Sequence, residues 1–132
     1  MSTSATQFEP YNDRVREYFA DPRHAGTVPE AISVANDEQG VSVEMSGSAS
    51  GGTIEALRFR VRGCPHSIAV CEAVCRQFEG ERVERLEEFS VQELMQSLAV
   101  PAAKSGRILL LEDVARQLAT ALRQTESAIE QH

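Results

Sequence analysis

Tryptophan is absent from this sequence of 132 residues, and aromatic residues make up only 5% of it. Proteins that bind single-stranded nucleic acids without sequence preference stack the bases on aromatic side chains. The net charge of −7 at pH 7 also repels phosphate backbones. The composition therefore disfavours nucleic acid as a partner. A hydrophobic fraction of 42% and a charged fraction of 25% are typical of a globular domain and exclude a low-complexity chain.

Long hydrophobic runs are missing as well. The run at 108–111 is among the longest apolar stretches, whereas a membrane-spanning helix needs about 20 apolar residues. The first residues carry neither the basic nor the apolar segment of a secretory signal. We therefore expect a cytoplasmic protein that has no membrane partner.

Cysteine is scarce, and the three cysteines are an odd number without a disulfide spacing pattern. Thiols stay reduced in the cytosol, so these cysteines are candidates for packing, metal binding or redox chemistry. The length is that of one domain. We predict a flexible N-terminal segment over residues 1–9, a single domain over 10–126 and a polar tail over 127–132.

The first part of the chain predicts one helix followed by a long loop. Apolar residues three and four apart indicate a helix near 11–19, which ends before Pro22 because the residue before proline avoids the helical region. Residues 24–40 show no periodicity, and we predict a loop there that includes a short helix around 30–34. Loops of this length are usually functional or disordered.

A β-hairpin is predicted next. Apolar and polar residues alternate over 41–45 and again over 53–62, and a turn rich in glycine and serine at 46–52 joins them. The outward positions of the second strand are three arginines, which we interpret as a solvated face or as a stripe that binds a partner. The residues concerned are Arg58, Arg60 and Arg62, with Glu44 and Glu55 as expected ion-pair partners.

Three helices complete the domain. Proline favours the first helical position, so Pro65 begins a helix that runs to about Phe78, with Cys64 as its N-cap. A capping box at 90–93 opens a short helix, and an amphipathic helix begins near Ile108. The order of elements predicts an α+β fold in which a small antiparallel sheet packs against helices in two layers.

Cys64 is the strongest chemical candidate. A thiol at a helix N-terminus lies near unpaired backbone N–H groups and the positive end of the helix dipole, which both stabilise thiolate. The alternative is a small capping residue without chemistry. Cys71 and Cys75 share a stripe with apolar residues, so we predict core packing, although a metal pair is the alternative.

His24 and His66 are the other ligand candidates, with a solvated loop histidine as the alternative for each. No P-loop, dinucleotide fingerprint or Ser-His-Asp pattern occurs in the sequence. We therefore predict that the protein is not an enzyme, with thiol chemistry at Cys64 left open.

Several stretches, in order over about 10–124, resemble the U-type iron–sulfur cluster assembly scaffolds, which comprise IscU, SufU and the NifU N-terminal domain. The segment at 11–15 with Asp21-Pro22-Arg23-His24-Ala25-Gly26 is similar to the opening helix and loop of that family. Arg58-Phe59-Arg60-Val61-Arg62-Gly63-Cys64 and Leu111-Glu112-Asp113-Val114 are similar to its later motifs. The resemblance implies an IscU/NifU N-terminal-like fold.

The resemblance also implies a metal site of three cysteines and an acidic residue, of which only Cys64 is present. The segment at 36–40, with Asp37 and Glu38, stands where the family has its first cysteine. Arg107 falls at or next to the position of the third. The residues implied for metal are Cys64, Asp37 and His66, with His24, Glu38 and Arg107 as neighbours of the site.

Two functions follow from the resemblance. The first is a divergent iron–sulfur assembly scaffold that accepts sulfur or metal at Cys64, with an iron–sulfur cluster, zinc or iron as the implied cofactor. Its implied partners are a cysteine desulfurase or other iron–sulfur assembly proteins. The second is a non-catalytic interaction module that keeps the fold without binding a cluster. A thiol-dependent enzyme that uses Cys64 ranks below both.

Overall fold

The sheet has three antiparallel strands in the order β1-β2-β3. In a computed structural model, which describes residues 12–29, 31–38 and 40–130, these strands are β1 (Ile32–Glu38), β2 (Val41–Ser50) and β3 (Thr53–Arg62). The alternating apolar residues of β2 and β3 point to one face, where Val41, Val43, Met45, Leu57 and Phe59 are buried and Val61 is partly buried, as the alternation predicted.

The predicted loop at 24–40 is confirmed for 24–29, but strand β1 replaces it from Ile32 onward. The short helix predicted around 30–34 was therefore wrong at 32–34, and residue 30 lies outside the described residues. Strand β1 pairs with β2 along its whole length, from Ile32 opposite Gly47 to Glu38 opposite Val41. Ile32 and Val34 pack against the core. The same strand contains Asn36 and Asp37, residue types that are uncommon in strands, so the sequence of β1 does not look like a strand. Long-range pairing with β2 therefore overrides the local signals.

The predicted turn at 46–52 was also too long. Strand β2 continues to Ser50, and only Gly51 and Gly52 form the turn, with φ of 59° and 82°. Two positive φ angles are typical of a tight hairpin turn and favour glycine. Gly47 lies inside β2 for another reason, because a Cβ there would lie 3.0 Å from the carbonyl oxygen of Ala56.

In the described residues, five α-helices form the second layer. They are α1 (Asp13–Ala20), α2 (Pro65–Phe78), α3 (Val83–Glu87), α4 (Gln92–Ser97) and α5 (Ser105–Glu130), with a short 3₁₀ helix over Ala102–Lys104. Helix α2 lies against β3, while α5 lies against β1 and β2. The result is the predicted two-layer α+β fold. No helix in the described part of the chain is long and apolar enough to cross a membrane.

The helix boundaries show one cap that the sequence did not predict and correct another. Asn12 caps α1, and its side chain accepts a hydrogen bond from the Val15 amide at 2.9 Å. The capping box at 90–93 was wrong, because Val91 is the N-cap of α4 and its amide donates to the Glu112 carboxylate at 2.8 Å. Helix α5 begins before the predicted Ile108 and continues past 126. The predicted flexible segment at 1–9 lies outside the described residues.

Candidate functional site

Cys64 lies at the junction between the sheet and the helix layer. Strand β3 ends at Arg62, and Cys64 is the N-cap of α2 with extended backbone (φ −84°, ψ 168°), followed by Pro65 in the first turn. A Cβ at Gly63 would lie 3.1 Å from the Ser67 hydroxyl oxygen, so glycine lets the chain pass close to the first turn of α2. These features confirm the predicted position of Cys64.

The surroundings of Cys64 favour its thiolate form. Partial burial alone would raise the pKa of the thiol, but four groups outweigh it. These are the Ser67 amide, the Ser67 hydroxyl, the Lys104 ammonium group and the His66 amide. The pKa of Cys64 is therefore lowered from its ordinary value. The Ser67 hydroxyl oxygen lies 3.6 Å from Sγ of Cys64, and the side chain of Cys64 is half-buried.

Lys104 reaches this region from the 3₁₀ helix. Its ammonium nitrogen lies 3.0 Å from Nδ1 of His66, and an ammonium group can only donate. His66 therefore accepts through Nδ1, which places its own proton on Nε2. The His66 ring is completely buried. His66 therefore holds the Lys104 ammonium group by a hydrogen bond, and it is not the solvated loop histidine of the alternative interpretation.

The other predicted neighbours of the site lie at different places. Asp37 is exposed in β1, opposite Ser42, and Ser42 in turn pairs with Arg62. Asp37 thus lies at the same end of the sheet as Cys64, but two strand spacings, or roughly 10 Å, from β3. Glu38 ends β1 opposite Val41. Arg107 is exposed in the first turn of α5, and Lys104, not Arg107, is the cation that acts on the Cys64 thiol.

His24 belongs to a second polar cluster. It lies in the segment at 21–29, which we call the strap and which crosses from α1 to the sheet and pairs with β3 at Phe59. Nδ1 of His24 lies 2.7 Å from Glu72, and Nε2 lies 3.2 Å from Glu79. Glu72 follows Cys64 by two helical turns, or roughly 12 Å. His24 is therefore held away from Cys64, and it is not a solvated histidine either.

Arg58 and the two remaining cysteines lie away from the N-cap of α2. Arg58 pairs with Glu79 at 2.8 Å, so the expected partners Glu44 and Glu55 were wrong for this arginine. Cys71 and Cys75 are buried in the core. Burial raises the pKa of both thiols, which confirms the packing prediction and makes both thiols inert at neutral pH.

A metal site that the chain completes by itself does not fit these residues. Among the side chains that the structure describes, no three of His, Cys, Asp or Glu converge closely enough to hold a metal ion. Iron–sulfur clusters prefer three or four thiolate ligands, and only Cys64 offers an accessible thiol in this chain. The ammonium group of Lys104 beside that thiol also opposes a cation.

Comparison with known proteins identifies the fold. The N-terminal part of a nitrogen-fixing NifU-like protein from Brucella abortus superposes with a TM-score of 0.69 at 14% identity, over 89% of this chain and 97% of that one. A protein from Fervidobacterium islandicum AW-1, described as an iron–sulfur cluster assembly scaffold for the SUF system, superposes with a TM-score of 0.55 at 16% identity, over 87% and 90% of the two chains.

Sequence comparison gives the family. No curated protein matches the chain significantly. The family model of the NifU-like N-terminal domain matches residues 10–128, which is nearly the whole sequence. The chain therefore belongs to the NifU-like N-terminal domain family.

Proposed function

We propose that this protein is a scaffold-like component of iron–sulfur cluster assembly that works through Cys64, which accepts sulfur from the persulfide of a cysteine desulfurase. Family membership supports the general role, as does the name of the Fervidobacterium protein, which describes a scaffold for the SUF system. The proposal also includes a cytoplasmic location and a role as an acceptor, not as an enzyme with turnover.

The observation that carries the proposal is the half-buried N-cap thiol with a lowered pKa. Thiolate is the nucleophilic form of cysteine. The Cys64 thiolate attacks the outer sulfur of the donor persulfide, the S–S bond of the donor breaks and an S–S bond forms on Cys64. The donor cysteine leaves as a thiolate, so atoms and electrons balance without an oxidant or a reductant.

Any metal or cluster on this protein would be cargo and not a resident cofactor. The metal ligands expected from sequence, Cys64, Asp37 and His66, stay a prediction, and the lack of a converging ligand group among the described residues weighs against them. An iron–sulfur cluster, zinc or iron would need additional ligands from a partner protein to be held at Cys64.

The second candidate is an interaction module that keeps the fold and binds an assembly partner without sulfur or metal. One observation favours it, because the Lys104 ammonium group acts on the Cys64 thiol and opposes the binding of a metal cation there. In this case Cys64 serves only as a helix cap, and its loss leaves partner binding unchanged.

Sulfur loading separates the two candidates. The protein is incubated with a cysteine desulfurase and free cysteine, and its mass is measured under non-reducing conditions. We expect one added sulfur atom on wild type and on Cys71→Ala, and none on Cys64→Ser. Wild-type protein that gains no sulfur, or gains it equally after Cys64→Ser, would refute the acceptor role.

Anaerobic reconstitution tests the cargo separately. The protein is mixed with ferrous iron and sulfide, desalted and analysed for metal and for visible absorbance. We expect the isolated chain to retain no stoichiometric iron. If wild type binds stoichiometric iron and Cys64→Ser does not, the metal site predicted from sequence is supported.

A further inference from the structure

The outer face of the sheet, opposite the helix layer, carries a basic ridge. The outward residues of β3 are Arg58, Arg60 and Arg62, and antiparallel register places Glu44 beside Arg60 and Ser42 beside Arg62. Arg60 and Arg62 are exposed and follow each other by one strand repeat, or roughly 7 Å. We call these two arginines the basic ridge.

Two acidic residues lie near the ridge on the same face, Glu44 beside Arg60 and Asp37 two strands from Arg62. Arg58 differs from the other two because it pairs with Glu79. Glu44 is the cross-strand neighbour of Arg60, and its carboxylate accepts a hydrogen bond from the Ser33 hydroxyl of β1 at 2.9 Å. Within the described part of the chain, neither arginine of the ridge forms an ion pair.

The ridge leads directly to the candidate site. Arg62 is the last residue of β3, and only Gly63 separates it from Cys64. A protein that lies on the outer sheet face at this end would bring its own surface next to the thiol. The two guanidinium groups would thereby help to orient a sulfur donor.

We infer that the basic ridge is a docking surface for a carboxylate-rich patch on the protein that donates sulfur to Cys64. The inference rests on the proposed acceptor function. Arginine forms bidentate hydrogen bonds with carboxylates, and a positive patch that meets a negative patch accelerates productive encounter.

A compact acidic protein patch fits the ridge better than nucleic acid does. The chain carries a net charge of −7, so a long polyanion would be repelled by the surface around two arginines. A short acidic patch contacts the ridge alone and avoids that repulsion.

Charge reversal of the ridge tests this inference. In the variant Arg60→Glu with Arg62→Glu, sulfur loading of Cys64 is timed with two donors, a cysteine desulfurase supplied with cysteine and a small-molecule persulfide. We expect loading from the desulfurase to fall about tenfold at low ionic strength, with loading from the small persulfide unchanged. Added salt should reduce the difference in desulfurase loading rate between wild type and variant, because salt screens exposed charges.

The matched control reverses two exposed arginines on helices, Arg14 of α1 and Arg85 of α3. The control changes the net charge equally, and we expect it to load at the wild-type rate from both donors. Equal desulfurase loading by wild type and the ridge variant would overturn the docking inference. Wild-type protein that loads from neither donor would instead refute the acceptor function itself.

A nucleic-acid alternative has its own result. Fluorescence anisotropy with a labelled single-stranded oligonucleotide measures binding to wild type and to the ridge variant. We expect no binding by either protein. If wild type binds the oligonucleotide and the ridge variant does not, the partner of the ridge is a nucleic acid and not a protein.

Discussion

The Nδ1 atom of His24 lies 2.7 Å from Oε2 of Glu72, a carboxylate with no solvent-exposed surface. The same carboxylate accepts hydrogen bonds from the His24 amide at 2.8 Å and from Nε of Arg76 at 2.7 Å. The guanidinium carbon of Arg76 in turn lies 4.4 Å from the ring centre of Tyr18 in α1. One buried carboxylate therefore joins the strap, α2 and, through Arg76, α1.

Loss of the Glu72 carboxylate should destabilise the fold strongly. Glu72→Ala removes the acceptor of the His24 amide and of Nε of Arg76, while His24 keeps Glu79 and Arg76 keeps Glu17. A buried donor that loses its acceptor costs about 1–3 kcal/mol. Urea denaturation measures this change. The control Glu93→Ala is exposed in α4, and we expect it to stay within about 0.5 kcal/mol of wild type. A similarly small change for Glu72→Ala would contradict the prediction.

The second carboxylate of this cluster predicts an acid limit of stability. Burial alone would raise the pKa of Glu79, but the Leu57 amide, Arg58 and His24 outweigh it, so the pKa is lowered. A carboxyl whose pKa is lower in the folded state stabilises the protein above its unfolded pKa. That stabilisation is lost as the pH falls through the folded pKa.

Glu79→Gln removes this titration. We expect the unfolding free energy of wild type to fall more steeply than that of Glu79→Gln as the pH is lowered below about 4.3, the ordinary glutamate pKa. Urea titrations at a series of acidic pH values measure both slopes. Parallel slopes would show that Glu79 does not contribute to the acid limit.

Local patterns in the sequence predicted the hairpin and the position of Cys64. Alternation fixes which face of β3 is buried, and a proline after Cys64 marks the first turn of α2. The partners of His24 were not predictable in this way, because Glu72 lies 48 residues later in the chain. Lys104 was missed for the same reason, since its contact with His66, 38 residues earlier in the chain, brings it near Cys64.

Backbone strain at Ala99 predicts a stabilising substitution. Ala99 follows α4 with φ of 52°, and it is the only residue other than glycine with positive φ in the described part of the chain. Side chains with a Cβ are strained in this region, so Ala99→Gly should raise stability by about 0.5–1 kcal/mol. Ala121→Gly, inside α5, should instead lower it by about 1 kcal/mol. Thermal unfolding compares the two, and destabilisation by Ala99→Gly would exclude strain at this position.

The contribution of Lys104 to the Cys64 thiolate can be measured through alkylation. Only thiolate reacts with iodoacetamide, and burial raises the pKa of Cys71 and Cys75, so the rate at neutral pH reports Cys64. Lys104→Met removes a cation that lowers the pKa of Cys64. The midpoint of the alkylation profile should therefore move to higher pH, and the rate at neutral pH should fall several-fold.

The matched variant for this experiment is Arg107→Met, which removes an exposed cation at the start of α5. Arg107 is not among the groups that lower the pKa of the Cys64 thiol, so its profile should overlay that of wild type. Rescue supports the same assignment, because Lys104→Arg keeps the charge and should restore most of the rate. Equal shifts in Lys104→Met and Arg107→Met would show that net charge, and not the place of Lys104 beside the first turn of α2, controls the thiol.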